Sequence, residues 1–555
     1  MDFILIFLFC FLTTFFLFSY GFIFNKFIFK FKIENYSEII FIGIIILIFI
    51  ALITNFISSL NPFFNSTLFF LSLILFFFIR EIDLPALFKN LFIISTIGFV
   101  TFLLDSSNRP DAGLYHLPFI SMLNDDKIIL GSVNLHFRFG HVSSLQYLSS
   151  LFNNFLFKDN GILIPLTIIY ASSILFFFEE FKKYPENNSI KLFSFFSIIF
   201  ILTSMNRYSE FGNDDPAVFF YLITAFYFLS NYIPKFNNPS KVFSKILLFS
   251  SLTFLTKQFY ALIIFFPIYY FIKHYKNIKL INKTNIFSFL LVGFWLIKNL
   301  LTTACIIYPI NFTCIKSLPW STHDTNYSPN IVSISSEAWA KAFPDRINLD
   351  RNEFEHLSDN QWISGWLDNH LQIVINNLIP LLIVSLIILL FNFKKFKNNI
   401  INSNVLNIIF YSNLIFSIFW FLKFPTYRYG AGYLGILIIA LILIIYEKIN
   451  FKKSFNKTLL SLLIITSLVI LLKNFNRIIK NYNNNYVDYP WPKKNSFTSE
   501  NSKNTNIPVF QDDEIVYYYS HPYYICMYSK SPCTHFRNSI LKKNIFKKYK
   551  LFIPQ

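Results

Sequence analysis

Glycine is scarce in this chain: only 13 of the 555 residues are glycine. Transporters and flippases bind their substrates near the bilayer midplane, between helices that glycine and proline interrupt. The shortage of glycine therefore disfavours a lipid-linked saccharide transporter or flippase, which we keep as an alternative.

Charge is also scarce. Only 14% of the residues are charged, whereas 54% are hydrophobic and 75 are phenylalanine. The apolar residues come in blocks of roughly 17–22, the length that crosses about 30 Å of hydrocarbon as a helix. Only helices and closed barrels satisfy backbone polar groups in lipid, and these blocks lack the alternation of barrel strands. We therefore predict an all-α polytopic membrane protein.

Acidic residues are fewer than basic ones, 30 against 48, which gives a net charge of +18. This excess does not indicate a nucleic-acid partner, because the lysines fall mostly in short loops between apolar blocks, as expected for cytoplasmic loops. If the lysine-rich loops are cytoplasmic and the N-terminus lies on the outer side, the chain has about fourteen membrane-spanning helices. Their approximate ranges are 3–24, 38–59, 64–80, 86–104, 161–178, 190–205, 217–233, 242–256, 258–272, 286–303, 371–392, 404–422, 430–446 and 458–473.

The same assignment divides the chain into six regions. They are N-terminal transmembrane helices (1–104), an outer loop (105–160), further transmembrane helices (161–303), a second long outer loop (304–370), a last set of transmembrane helices (371–473), and an extracytoplasmic tail or small domain (474–555). The leucine and phenylalanine spacing at 113–124 and 143–157 predicts amphipathic helices on the membrane surface. The tail is either a cap over the active site or a docking module.

The ionisable residues that break the lysine pattern fall at or just beyond the outer ends of the predicted spans, in separate segments of the chain. Such residues at a membrane edge tend to line functional cavities. We therefore expect them to meet on one face of the protein. They are Asp105, Asp111, His116, Arg138, Asp214, Asp215, Lys257, Lys298 and Arg428.

Cysteines provide an indication of compartment. Cys526 and Cys533 lie in the tail, and Cys305 and Cys314 lie in the second outer loop. Both pairs fall on the predicted outer side, where disulfides persist, so each is a candidate disulfide; four unrelated thiols are the alternative. No spacing of cysteine and histidine resembles a zinc site.

The first outer loop carries the motif Asp111-Ala-Gly-Leu-Tyr115-His116. This run resembles the GT-C membrane glycosyltransferases, whose first outer loop has an acidic motif followed by tyrosine, although Ala112 stands where many members have a second acid. Together with Asn134-Leu-His136-x-Arg138 and with Asn299 and Tyr308-Pro309 further on, it looks like an uncharacterised bacterial family of multi-pass proteins. The resemblance covers roughly residues 85–430.

The resemblance implies a GT-C-like fold and a transferase in the bacterial inner membrane, with its active site facing the periplasm. The implied donor is a sugar on a polyprenyl-phosphate carrier, and the implied acceptor is a glycan, lipid or protein. The sugar itself is not indicated. A polysaccharide polymerase or O-antigen ligase is the closer alternative, and a purely structural membrane protein is the remaining one.

The residue types suit this chemistry. Transfer needs a carboxylate that takes the acceptor proton, and cations that stabilise the departing phosphate. Asp111 is the predicted base, Asp105 an orienting or metal-sharing acid, and His116 a ligand of donor or acceptor; helix capping and structural hydrogen bonds are the alternatives. The predicted substrate-binding residues are Tyr115, Asn134, His136, Arg138, Lys257, Lys298 and Arg428. Snorkelling to lipid head groups is the alternative for the cations.

A metal site is a further possibility. Asp214 and Asp215 either bind a divalent cation such as Mg or Mn, or cap the helix whose first turn holds Pro216. Ala112 removes a potential ligand from the loop motif, so no cofactor is firmly predicted.

Overall fold

The computed structural model describes most of the chain. The described residues are 3–32, 35–78, 83–104, 111–184, 188–203, 211–230, 238–323, 325, 327–343, 352–358, 360–397, 404–482, 509–512, 515–519, 526, 528, 531–534, 541–546 and 548–554.

The described chain is built mainly of helices. They are α1 (Phe3–Phe24), α2 (Tyr36–Ile57), α3 (Pro62–Phe77), α4 (Leu84–Leu104), α5 (Leu117–Asp125), α6 (Ser144–Ser150), α7 (Ile164–Lys183), α8 (Asn188–Thr203), α9 (Asp214–Ser230), α10 (Pro239–Thr256), α11 (Phe265–His274), α12 (Lys283–Thr303), α13 (Pro329–Ala340), α14 (Glu353–Ser358), α15 (Trp362–Trp366), α16 (Gln372–Asn392), α17 (Asn404–Lys423), α18 (Tyr427–Glu447) and α19 (Phe455–Tyr482).

The described part of each of the fourteen apolar blocks is mainly helical, so the helical architecture of a multi-pass membrane protein is confirmed. Within the described residues, nine helices are long and apolar enough to cross a membrane, with ranges 3–29, 36–57, 84–104, 158–183, 283–303, 362–392, 404–423, 427–447 and 455–476. Two further apolar helices, Pro62–Phe77 and Ser189–Thr203, are shorter. The count of about fourteen spans therefore stays a prediction.

Local sequence explains where several helices begin. Four asparagines each accept a hydrogen bond from the backbone N–H three residues further on, which satisfies a donor that the first helical turn leaves unpaired. They are Asn35 before α2, Asn61 before α3, Asn238 before α10 and Asn282 before α12. Pro62 and Pro239 follow two of these caps at the first helical position, where proline is tolerated.

The two short helices of the first outer loop do not lie on the membrane surface. Every residue of α6 and all of α5 except Asp125 are buried within the protein, so the predicted surface position is wrong. Asn124 shows the reason, because its side-chain amide donates to the backbone oxygens of Leu60 (2.6 Å) and Ser150 (3.0 Å). The loop is folded into the helical body and holds its neighbours together.

The C-terminal tail is a set of short strands that docks on the first outer loop. The described strands are β3 (Val509–Asp512), β4 (Ile515–Tyr519), β5 (Cys533–Thr534), β6 (Leu541–Phe546) and β7 (Tyr549–Pro554), after a separate antiparallel pair formed by β1 (Phe393–Phe396) and β2 (Ile449–Phe451). Leu130 donates to the oxygen of Lys550 and accepts from the N–H of Phe552, both at 3.0 Å. The tail and the first loop therefore lie on the same side of the protein.

Two disulfides occur in the structure, Cys305–Cys314 and Cys526–Cys533, which are the pairs that the sequence suggests. The first closes a short turn after α12, and the second lies in the docked tail. Cys10 is buried in α1 as a free thiol.

An ion pair between tail and loop offers a test of the docking. Lys550 Nζ lies 2.6 Å from Asp126 Oδ2, and both side chains are partly buried. Lys550→Glu should loosen the tail, with a loss of roughly 0.5–1 kcal/mol for a partly exposed pair, and adding Asp126→Lys should restore it. The rate of limited proteolysis within the tail measures this. Lys548→Glu, the same charge change at an exposed neighbouring residue, is the control; an equal effect from it would refute the specific pairing.

Sidedness is tested by labelling single cysteines in intact cells. Cys10 is buried and the other native cysteines are in disulfides, so the background reactivity is low. Ser358→Cys, exposed in the second outer loop, should react with an impermeant maleimide at once. Lys395→Cys, exposed on β1, should react only after the membrane is permeabilised. The reverse pattern would overturn the predicted topology.

Candidate active site

A polar cleft opens where the first outer loop meets the ends of several helices. Its volume is about 60 Å³. Its walls contain seven of the residues that the sequence predicts, namely Asp111, Tyr115, His116, Arg138, Asp214, Lys257 and Arg428. The structure thus brings together side chains from positions more than 300 residues apart.

Helix ends deliver three of these side chains to the cleft. Asp214 opens α9, Lys257 is the residue that ends α10, and Arg428 is the second residue of α18. Asp111 and Tyr115 come from the first loop, in and just before a single π-helical turn, Ala112–His116, that runs directly into α5. Isolated π-helical turns are frequent at functional sites, because they redirect side chains without ending the helix.

Opposite charges face each other across the cleft. Lys257 Nζ lies 2.5 Å from Asp214 Oδ1, and Arg428 Nη1 lies 3.5 Å from Asp111 Oδ2. Arg138 is the third cation, positioned over the Tyr115 ring at 5.5 Å from its centroid. Three cations against two carboxylates leave an excess positive charge among the described walls, which favours an anionic ligand.

Arg428 is only partly used by the protein. Its guanidinium lies 5.0 Å from the ring centroids of both Trp339 and Tyr429, and its side chain is 20% exposed. Its Nε is buried and, within the described part of the chain, has no hydrogen-bond partner. A buried N–H without a partner is costly, so part of the hydrogen-bonding capacity of this guanidinium is unused.

The hydrogen bonds around His116 fix its tautomer. The Ser143 N–H donates to Gln146 Oε1 at 2.8 Å, which turns the Gln146 amide nitrogen toward His116 Nδ1 at 3.2 Å. His116 Nδ1 therefore accepts, and the neutral ring carries its proton on Nε2. Burial lowers the pKa of His116 to about 3, against the opposing effect of Asp111. Near neutral pH His116 is thus a hydrogen-bond donor rather than a cation.

His141 also lines the cleft; the sequence places it in the polar loop with the predicted site residues, but no catalytic or substrate-binding role was predicted for it. Its ring packs edge-on against Tyr308, with the centroids 5.3 Å apart, and its Nε2 has no partner among the described residues. Burial, with Arg138 and Lys257 adding to it, lowers the pKa of His141 to about 3. The available signal was its position three residues after Arg138, in the same polar loop.

These two histidines predict a loss of stability in acid. The unfolded chain takes up protons on both rings below about pH 6.5, whereas the folded chain does so only near pH 3. The stabilisation is therefore complete above pH 6.5 and falls by about 1.4 kcal/mol per pH unit for each ring as the pH drops toward 3. Thermal unfolding of the detergent-solubilised protein at pH 7.5 and pH 5 measures it. His141→Gln should flatten the dependence, and an unchanged slope would contradict the assignment.

The remaining predicted residues lie elsewhere. Asn134 donates to the backbone oxygens of Trp320 (3.1 Å) and Phe552 (3.0 Å), so it joins the second loop and the tail to the first loop and is not a cleft wall. Lys298 is fully buried in α12, with its Nζ 4.1 Å from the Trp295 ring centroid.

Two more predicted residues flank the cleft without lining it. The His136 ring lies 6.2 Å from the Tyr115 ring, centroid to centroid, and its Nδ1 accepts a hydrogen bond from the backbone N–H of Arg138 at 3.0 Å. Asp215 follows Asp214 in the first turn of α9, where the helix dipole stabilises a negative charge. Asp105 lies outside the described residues.

The donor set does not fit a protein-built metal site. Among the described residues, no three side chains of histidine, cysteine, aspartate or glutamate lie close enough together to hold a metal ion. One oxygen of Asp214 is already paired with Lys257. The cleft is therefore a cationic site rather than an acidic one.

Comparison with known proteins gives one result. A family model described as Domain of unknown function (DUF8201) matches residues 3–435. No curated protein and no solved structure matches the chain. The matched range includes every wall of the cleft and ends inside α18, whereas the docked tail lies beyond it.

Proposed function

The chain belongs to the family described as Domain of unknown function (DUF8201), and we propose that its cleft transfers a sugar from a polyprenyl-phosphate-linked donor to an acceptor. The acceptor is a glycan, lipid or protein, and the reaction takes place on the periplasmic side of a bacterial inner membrane. The observation that carries the proposal is the meeting of a partly exposed carboxylate, Asp111, with three cations in one cleft at the ends of α9, α10 and α18.

The geometry supports the following roles. The Asp111 side chain is 38% exposed, so an acceptor hydroxyl can reach it and give up its proton to the carboxylate. The acceptor oxygen then attacks the anomeric carbon, and the bond to the carrier phosphate breaks with its electron pair on the phosphate. Arg428 and Arg138 suit this departing anion, because a guanidinium binds two phosphate oxygens at once.

Lys257 and His116 complete the phosphate site. Lys257 is held in place by Asp214 and adds a point charge, while His116, which lines the same cleft, offers a neutral N–H. Asp214 is thus proposed as a positioning residue for Lys257. No step is routed through a metal, since the carboxylates of the described residues do not assemble a metal site.

A polymerase-like or ligase-like reaction is the second candidate. It is favoured by one contact: Trp339, from the second outer loop, stacks on Arg428 and so brings a late loop to the cleft. Such enzymes transfer a whole glycan from a polyprenyl diphosphate, so the donor distinguishes the two candidates.

The test is a transfer assay with membranes that contain the protein. Polyprenyl monophosphates bearing single radiolabelled sugars are compared with polyprenyl diphosphates bearing oligosaccharides. Release of free polyprenyl phosphate together with a labelled acceptor supports the proposal. Consumption of the diphosphate donors alone supports the second candidate, and consumption of neither refutes both.

A further inference from the structure

A second and larger cavity, the aromatic chamber, adjoins the cleft. Its volume is about 340 Å³, which falls in the range of roughly 300–1,000 Å³ that is usual for small-molecule sites, whereas the cleft alone does not. The chamber is lined by Phe137, Tyr327, Trp339, Phe343, Phe424 and Glu353.

The chamber and the cleft share walls. Arg138, His141, Phe259 and Tyr429 line both cavities, so a single bound molecule or a pair of reacting molecules can extend from one into the other. Trp339 marks the boundary, because its ring lies against Arg428 on the cleft side.

One edge of the chamber is polar. Ser335 Oγ donates to Glu353 Oε2 at 2.5 Å, and Ser336 lies beside them. The second oxygen of the Glu353 carboxylate can accept a hydrogen bond from a ligand hydroxyl. An aromatic surface with a carboxylate and hydroxyls at its edge matches a sugar ring, which has apolar C–H faces and a rim of hydroxyl groups.

The position of the chamber favours a sugar over a hydrocarbon chain. Its walls come from the first outer loop, from α13 and α14 of the second outer loop, and from helix ends: Phe259 and Phe424 lie just beyond α10 and α17, and Tyr429 lies in the first turn of α18. It therefore lies outside the apolar bodies of the helices. A hydrocarbon chain would also leave the second oxygen of the Glu353 carboxylate facing groups that cannot hydrogen-bond, which is unfavourable.

We infer that the aromatic chamber binds a sugar unit of the acceptor, stacked against Trp339 and hydrogen-bonded to Glu353 and Ser335; the acceptor role rests on the proposed transfer reaction. The acceptor is then itself a saccharide or carries one. Its reactive hydroxyl extends from the chamber into the adjoining cleft, toward Asp111. This narrows the acceptor from any lipid, glycan or protein to a glycosylated one.

The deciding variant is Glu353→Gln, with Glu355→Gln on the same short helix as the matched control. Glu355 is exposed and does not line the chamber. Loss of a charged hydrogen bond should raise the acceptor KM by about tenfold or more, and leave donor KM and donor hydrolysis without acceptor unchanged. Trp339→Ala should also raise the acceptor KM. Because Trp339 contacts Arg428 as well, this variant can affect donor binding, so Glu353→Gln is the cleaner test.

A binding experiment separates this inference from the proposed function. The purified full chain is titrated with cellobiose, chitobiose and mannobiose, and separately with farnesyl phosphate, using tryptophan fluorescence. Disaccharide binding that is weakened by Glu353→Gln and retained in Glu355→Gln supports sugar binding in the aromatic chamber. This result is independent of the transfer reaction, because it stands even if the protein consumes no polyprenyl-phosphate donor. Binding of farnesyl phosphate alone, or of no probe, overturns the sugar chamber. An unchanged acceptor KM in an active Glu353→Gln enzyme also overturns it.

Discussion

Asp111→Asn is expected to lower the rate of sugar transfer by about 10²–10⁴-fold, the usual effect of removing a general base, while donor affinity changes little. Asparagine keeps the shape of the side chain and can still accept a hydrogen bond from Arg428, which lies 3.5 Å from Asp111 Oδ2. It cannot take the proton of an acceptor hydroxyl. Because phosphate contacts are assigned to other residues, the loss should appear in kcat rather than in donor KM.

The measurement compares transfer rate and polyprenyl-phosphate affinity at matched expression. Asp368→Asn, the same isosteric change at an exposed residue outside the cleft, is the control and should leave both quantities unchanged. Full activity in Asp111→Asn would remove this residue as base, and Asp214 and Asp105 would be tested next. Loss of binding together with rate would indicate that the Asp111–Arg428 contact holds the cleft in shape.

The helices were predictable because their signal is local. Each apolar block is long enough to be recognised without knowledge of its neighbours, and the lysines between blocks fix which ends share a side. That reasoning placed Asp111, Lys257 and Arg428 at the same end of the bundle, and the structure puts all three in one cleft. It could not place Lys298, because the direction of a side chain around a helix depends on packing: Lys298 faces Trp295 in the interior.

Contacts between distant segments were not predictable. Asn134 resembled a substrate ligand because it lies in the polar loop motif, but its partners, Trp320 and Phe552, come from the second loop and the tail. The amphipathic pattern of α5 correctly predicted a helix. Its polar side, however, packs against the rest of the protein: the Asn124 amide donates hydrogen bonds to the backbone oxygens of Leu60 and Ser150. Trp339 likewise reaches Arg428 across 89 positions of sequence, as its loop folds back.

Arg428→Ala is expected to weaken donor binding about 10–100-fold and to lower turnover as well, since a cation on the carrier phosphate acts in both the ground state and the transition state. The structure gives the reason for a large effect. Arg428 has a buried Nε–H without a partner among the described residues, and its carboxylate contact, at 3.5 Å, is weak. Arg428→Lys should recover only part of the activity, because an ammonium lacks the planar fork.

Lys257→Ala is the internal comparison, and it should be milder. Lys257 Nζ already forms an ion pair with Asp214 at 2.5 Å, whereas the contact between Arg428 and Asp111 is longer. Less of the Lys257 charge is therefore available to a phosphate. Lys423→Ala, an exposed cation just before α18, is the control and should retain donor affinity. Donor KM, kcat and equilibrium affinity for polyprenyl phosphate are measured for all four variants. Normal donor affinity with lost turnover in Arg428→Ala would contradict phosphate binding and assign the arginine instead to the orientation of Asp111, because only a phosphate ligand must affect both quantities.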